Sequence, residues 1–153
     1  MDLDIDTGTM GIFSIGEESD IPDRYLKGPG YIISIRDNLV KSISIFFTGI
    51  MESDEVDLRV ANKTHKYVSD TPRIIFQDKL IKNGKSVEIN SATFPEDISK
   101  IFETPCDFWD DGSGIGMTFV SRGMEIEFSW RWTSGDRKQL DYMFIESVSS
   151  KHS

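Results

Sequence analysis

The chain has 153 residues, 38% of them hydrophobic and 11% aromatic, and a net charge of −9. That length and apolar share fit one globular domain with its own core and exclude a disordered chain. The excess of carboxylates repels phosphate backbones, which disfavours direct nucleic-acid binding and favours a basic protein partner.

Residues 1–9 are acidic and are expected to form a flexible N-terminal tail before a single domain over 10–148, with 149–153 a flexible C-terminal tail. The opening MDLDIDTGTM lacks the basic start and apolar middle of a secretion signal. No apolar run approaches the ~20 residues that span a bilayer, so no membrane contact is expected. The lone cysteine, Cys106, permits no internal disulfide and fits a reducing compartment, the cytoplasm.

In chain order, Glu18–Leu26 reads as a poor helix or turn. Tyr31–Arg36 and Leu39–Phe47 read as a hairpin about Asp37-Asn38, because Asp and Asn tolerate left-handed backbone. Val56–Val60, Arg73–Phe76 and Ser86–Ile89 are shorter strand candidates, with Asn83-Gly84 a turn between Leu80-Ile81 and Val87. The segment TFPEDISKIF, Thr93–Phe102, predicts a helix. Thr93 and Glu96 have the spacing of a capping box, Pro95 sits in the first turn, and Ile98, Ile101 and Phe102 form one apolar stripe. Thr104-Pro105 ends it, since a residue before proline avoids helical backbone.

Ile115–Ser121, Met124–Thr133 and Leu140–Ser147 predict a C-terminal three-stranded meander, with Arg122-Gly123 as its first tight turn. The middle strand, MEIEFSWRWT, alternates strictly between Met, Ile, Phe and Trp on one side and Glu, Ser and Arg on the other. Such alternation marks a strand with one buried and one wet face, typical of antiparallel sheets. The predicted class is therefore α+β: an antiparallel sheet of β-hairpins and the meander, packed on one main helix.

CDFWDDGSGIG, Cys106–Gly116, is the segment richest in candidate chemistry. As a calcium loop with Gly112 at the sixth position it has Trp109 and Thr118 where oxygen ligands belong, so no metal is expected. Its glycines do not match the dinucleotide fingerprint, and a strand rather than a helix follows, so no cofactor is expected either. The only histidines are His65 and His152, and no nucleophile–base pair declares itself, so the chain is not expected to be an enzyme. Trp109 stands among carboxylates in a stretch read as a loop. It fits an interface anchor, because Trp is enriched at binding hot spots and acids steer basic partners. The competing reading folds Trp109 back onto the core. The predicted partner-binding set is Glu103, Asp107, Trp109, Asp110 and Asp111, with Glu52, Asp54 and Glu55 a second acidic patch.

The run FPEDISKIFETPCDFWDDG, followed by MEIEFSW and LDYMFIE, resembles small bacterial immunity proteins of contact-dependent growth inhibition and other polymorphic toxin systems. In some of these a helix leads into a W-D-D-G loop and then strands closing on an Asp-Tyr pair followed by apolar residues and Glu. IRDNLVKSISIFF resembles their N-terminal hairpin, whereas Glu103-Thr104-Pro105 replaces their Gly-containing stop. The resemblance implies a cytoplasmic inhibitor that binds a cognate toxin domain, often a nuclease, stoichiometrically. It assigns no binding residues and no oligomeric state. Two alternatives remain. One is a small-molecule-binding or enzymatic domain with a pocket behind the aromatic strand 124–133. The other is an assembly subunit joined through an edge strand.

Overall fold

The structure is a computed structural model that describes residues 1–51, 73–102, 107–132 and 138–148, and, within these, not the side chains of Met51, Arg73 and Trp132. The described residues are mostly β, 56% in strands, with one short helix. In chain order the strands are β1 (Leu3–Asp4), β2 (Thr9–Met10), β3 (Phe13–Ser14), β4 (Arg24–Gly28), β5 (Tyr31–Arg36), β6 (Leu39–Phe46), β7 (Ile50–Met51), β8 (Arg73–Ile74), β9 (Leu80–Lys82) and β10 (Lys85–Val87). Helix α1 (Pro95–Phe102) follows, then β11 (Asp107–Asp110), β12 (Gly114–Ser121), β13 (Met124–Trp132) and β14 (Lys138–Ser147).

A seven-stranded antiparallel sheet runs in the order β11-β12-β13-β14-β6-β5-β4. A five-stranded sheet, β10-β9-β1-β2-β3, is antiparallel except where β1 and β9 pair in parallel. β7 and β8 form a short pair of their own.

Two-residue turns set most of the registers. Asp37-Asn38, Asn83-Gly84 and Arg122-Gly123 all carry positive φ at both central positions, the geometry whose twist matches that of the strands they join. On β13, Met124, Ile126, Phe128 and Trp130 are buried. They join Ile33, Ile35, Ile43, Ile45, Met143 and Ile145 of the large sheet and Leu3, Met10 and Leu80 of the small one in one core cluster. The core therefore lies against both sheets. A smaller cluster, Ile32, Phe46 and Ile50 with Tyr142 against it, occupies the opposite face of the large sheet.

Helix α1 enters the same core through Ile98, which is fully buried, and through Phe102, whose ring lies 4.8 Å from Phe119 and 5.4 Å from Phe128. Its capping differs from the expected Thr93/Glu96 box. The Phe94 amide donates to Asp97 Oδ2 at 3.2 Å, while Thr93 Oγ1 accepts from the Asn90 amide at 2.9 Å. The helix begins at Pro95, whose ring suits the first helical position, and this moves the reciprocal bond one residue along. The indole of Trp130 donates to the Thr93 carbonyl at 2.8 Å and fixes the helix start to β13.

Two expectations need correction. Residues 1–9 are not a flexible tail: Leu3 and Ile5 are fully buried, and β1 is the middle strand of the small sheet. Leu3 and Ile5 alternate with Asp2, Asp4 and Asp6, so burial on one face outweighs the acidity of the stretch. Glu18–Leu26 is not helical either. Arg24–Gly28 forms edge strand β4, and Glu18 makes an isolated bridge to Leu39. Val56–Val60 and the tail 149–153 lie outside the described residues.

Candidate functional site

The segment read as a loop is a strand. Asp107–Asp110 pairs with β12 as Asp107 with Thr118, Phe108 with Met117, Trp109 with Gly116 and Asp110 with Ile115. β11 ends the seven-stranded sheet, and all four of its residues are exposed, Phe108 at 52% and Trp109 at 38%. Strand alternation puts Asp107 and Trp109 on one face and Phe108 and Asp110 on the other.

Trp109 neither stands free nor folds into the core. Its indole lies across Gly116, where an added Cβ would sit 2.0 Å from the ring. The absence of a side chain at Gly116 leaves a shelf for the indole on the sheet face away from the core.

Asp110 and Asp111 are largely engaged in the turn that joins β11 to β12. Asp111 Oδ1 accepts from the Ser113 amide at 2.9 Å, the Ser113 hydroxyl at 2.8 Å and the Gly114 amide at 3.0 Å. The Ser113 hydroxyl foremost, with the Ser113 and Gly114 amides, holds the Asp111 carboxyl below its ordinary range against a small desolvation. Asp110 Oδ1 accepts from the Gly112 amide at 3.0 Å, and Lys138 Nζ lies 3.5 Å from Oδ2. Asp107 has no such contact among the described residues and is the carboxylate most open to a partner. The structure thus brings Asp107, Trp109, Asp110 and Asp111 together and gives the last a turn-forming role. Glu103 lies outside the described residues, as do Glu52, Asp54, Glu55, Cys106 and both histidines.

Phe108 is the residue that the predicted set omitted. Reading D-F-W-D as two acids alternating with two aromatics along a strand would have found it, but the following glycines read more strongly as loop.

Two of the clefts among the described residues lie elsewhere. One, of about 490 Å³, opens between residues 75–80 and 86–91 over Phe47. The other, of about 430 Å³, is polar and is bounded by Asp6, Lys82, Phe102 and Arg122. In it Asp6 accepts from Lys82 Nζ at 2.8 Å and from the Asn83 amide at 2.6 Å, and Lys82 Nζ sits 5.1 Å from the centre of the Phe102 ring. Neither cleft is lined by 124–133. Phe128 and Trp130 themselves fill the space behind that strand, at 0% and 2% exposure.

Among the described residues no three His, Cys, Asp or Glu side chains converge as a metal site requires, and no helix is long and apolar enough to cross a membrane. No protein-family model, curated protein or solved structure matches the chain.

Proposed function

We propose that the chain is an immunity-type inhibitor that neutralises a basic toxin domain in the cytoplasm by stoichiometric binding, without turnover of its own. The observation that supports this reading most is β11: an exposed edge strand that displays Phe108 and Trp109 between Asp107 and Asp110, on a chain of net charge −9. Exposed aromatics supply contact area at a hot spot, and the flanking carboxylates draw in Lys and Arg. The finer α+β description belongs to the same proposal. Helix α1 is the main support of the sheet beneath β11 and the β12–β14 meander, through Phe102 on Phe119 and Phe128.

The test is co-expression with the toxin domain encoded immediately upstream, scored by growth and by co-purification. The wild-type chain restores growth and elutes with the toxin in equal amounts. Asp107→Lys slows association and lowers affinity roughly threefold, the scale of one exposed charge pair. Asp110 and Asp111 stay untouched because their substitution would open the turn. A wild-type chain that neither protects nor co-purifies ends this reading.

A further inference from the structure

Resting on that reading of β11, the main chain of this edge specifies how a partner engages it. Asp111 and Gly114 face each other across the turn, with the Asp111 amide donating to the Gly114 carbonyl at 3.2 Å. The β11–β12 register is continuous from that pair to Asp107–Thr118. In an antiparallel ladder, hydrogen-bonded and non-bonded pairs alternate. Asp111, Trp109 and Asp107 therefore turn their amides and carbonyls towards β12, whereas Phe108 and Asp110 turn theirs outward. No further strand of the described residues lies beyond β11.

We infer that β11 accepts an added strand from the partner: an extended basic segment that bonds to the outward amides and carbonyls of Phe108 and Asp110 and sets cationic side chains opposite Asp107 and Asp110. The occupant follows from charge. For a second copy of the chain to bond to both outward residues, Phe108 must pair with Asp110 of the copy. That register places Asp107 opposite Asp111 at both ends of the joint, and directly opposed like charges weaken a sheet. Asp107 thus helps to guard the edge against a second copy and also suits a cationic strand. Phe108 and Trp109, one on each face, give the incoming strand an aromatic neighbour above and below the sheet plane.

The experiment uses the full chain and a synthetic hexapeptide, acetyl-Thr-Lys-Thr-Val-Lys-Thr-amide, whose lysines have the spacing of Asp107 and Asp110. Amide resonances are followed by NMR as the peptide is raised to millimolar concentration. The expected result is shifts and slowed hydrogen exchange at the Phe108 and Asp110 amides, with exchange at the Asp107 and Trp109 amides, already in the ladder, unchanged. A control peptide with Glu for Lys leaves all four unaltered. Phe108→Pro removes an outward N–H that makes no ladder bond, so it keeps the β11–β12 hairpin and abolishes peptide binding. Phe108→Ala keeps the N–H and weakens binding by no more than ~5-fold, the scale of one cross-strand side-chain pair. Equal binding by Phe108→Pro and wild type overturns the inference, as does protection of Asp107 and Trp109 in place of Phe108 and Asp110, or no response at all. If the toxin domain still co-purifies in any of those cases, only strand addition has failed, and the inhibitor reading stands on side-chain contacts.

Discussion

Asp6 shows how one carboxylate can tie distant parts of the chain together. It is nearly buried, accepts from Lys82 and from the Asn83 amide, and joins the N-terminal strands to the turn between β9 and β10. Desolvation by itself would raise its pKa. The Lys82 and Asn83 bonds, with the positive charges of Lys82 and Arg122, outweigh that and hold it below 3.8. Because the folded value lies below the unfolded one, the stabilisation is present above about pH 3.8 and is lost as pH falls through the folded value. Asp6→Asn should cost ~2 kcal/mol at neutral pH, since Lys82 keeps its charge in a mostly buried place without its counter-ion. The gap in urea midpoint between variant and wild type should close progressively in acid, and a gap independent of pH would contradict this account. At this scale the sequence was only partly legible. The carboxylate cluster at Asp107–Asp111 was visible, but its division between turn-formers and open groups depends on which amides lie within reach, and spacing does not supply that. The role of Asp6 is not legible in the sequence because its partner is 76 residues away.

Among the elements, the hairpins could be read because their cause is local. Asp37-Asn38, Asn83-Gly84 and Arg122-Gly123 each suit left-handed backbone at two successive positions, and the strands beside them alternate. The two-residue strands β1, β2 and β3 are not legible in the sequence, because two residues are too few to show a period. β14 carries an irregularity that no pattern announced. Its register shifts opposite Ser129 and Trp130, leaving Asp141 as the extra residue, 4% exposed. The Asp141 carbonyl accepts from the Phe47 amide at 2.8 Å, Oδ1 accepts from the Thr48 hydroxyl at 2.5 Å, and Oδ2 lies 3.3 Å from Arg131 Nε. The bulge turns a carboxylate towards the end of β6 and holds the chain where it leaves the sheet. Asp141→Ala should lower stability by ~1–2 kcal/mol, because it strips the partly buried Thr48 hydroxyl of its acceptor and takes the carboxylate away from Arg131. Denaturant melts of Asp141→Ala and Thr48→Val, separately and together, test this. The double variant should cost clearly less than the sum of the two, and strict additivity would mean the pair is not coupled.

The whole molecule is joined by pairings between its ends. β1 lies beside β9, and β6 beside β14, so neither sheet is complete without both halves of the sequence. Removing residues 2–9 should therefore unfold the small sheet and uncover Leu80, Met124 and the helix side of the core. A loss of cooperative thermal melting is expected, and a deletion variant that melts like the full chain would show those residues to be dispensable. In the large sheet β4-β5-β6 and β11-β12-β13 lie on either side of β14, strand for strand parallel but in mirrored order. No rotation that keeps both core faces inward relates them, so the mirrored order is not a structural symmetry. β14 is also the last strand described, and it fills the slot between β13 and β6. Until β14 is in place, β13 and β6 each lack the neighbour that pairs with their inner border. A truncated product ending before Lys138 would keep both borders open, inviting entanglement with sister chains.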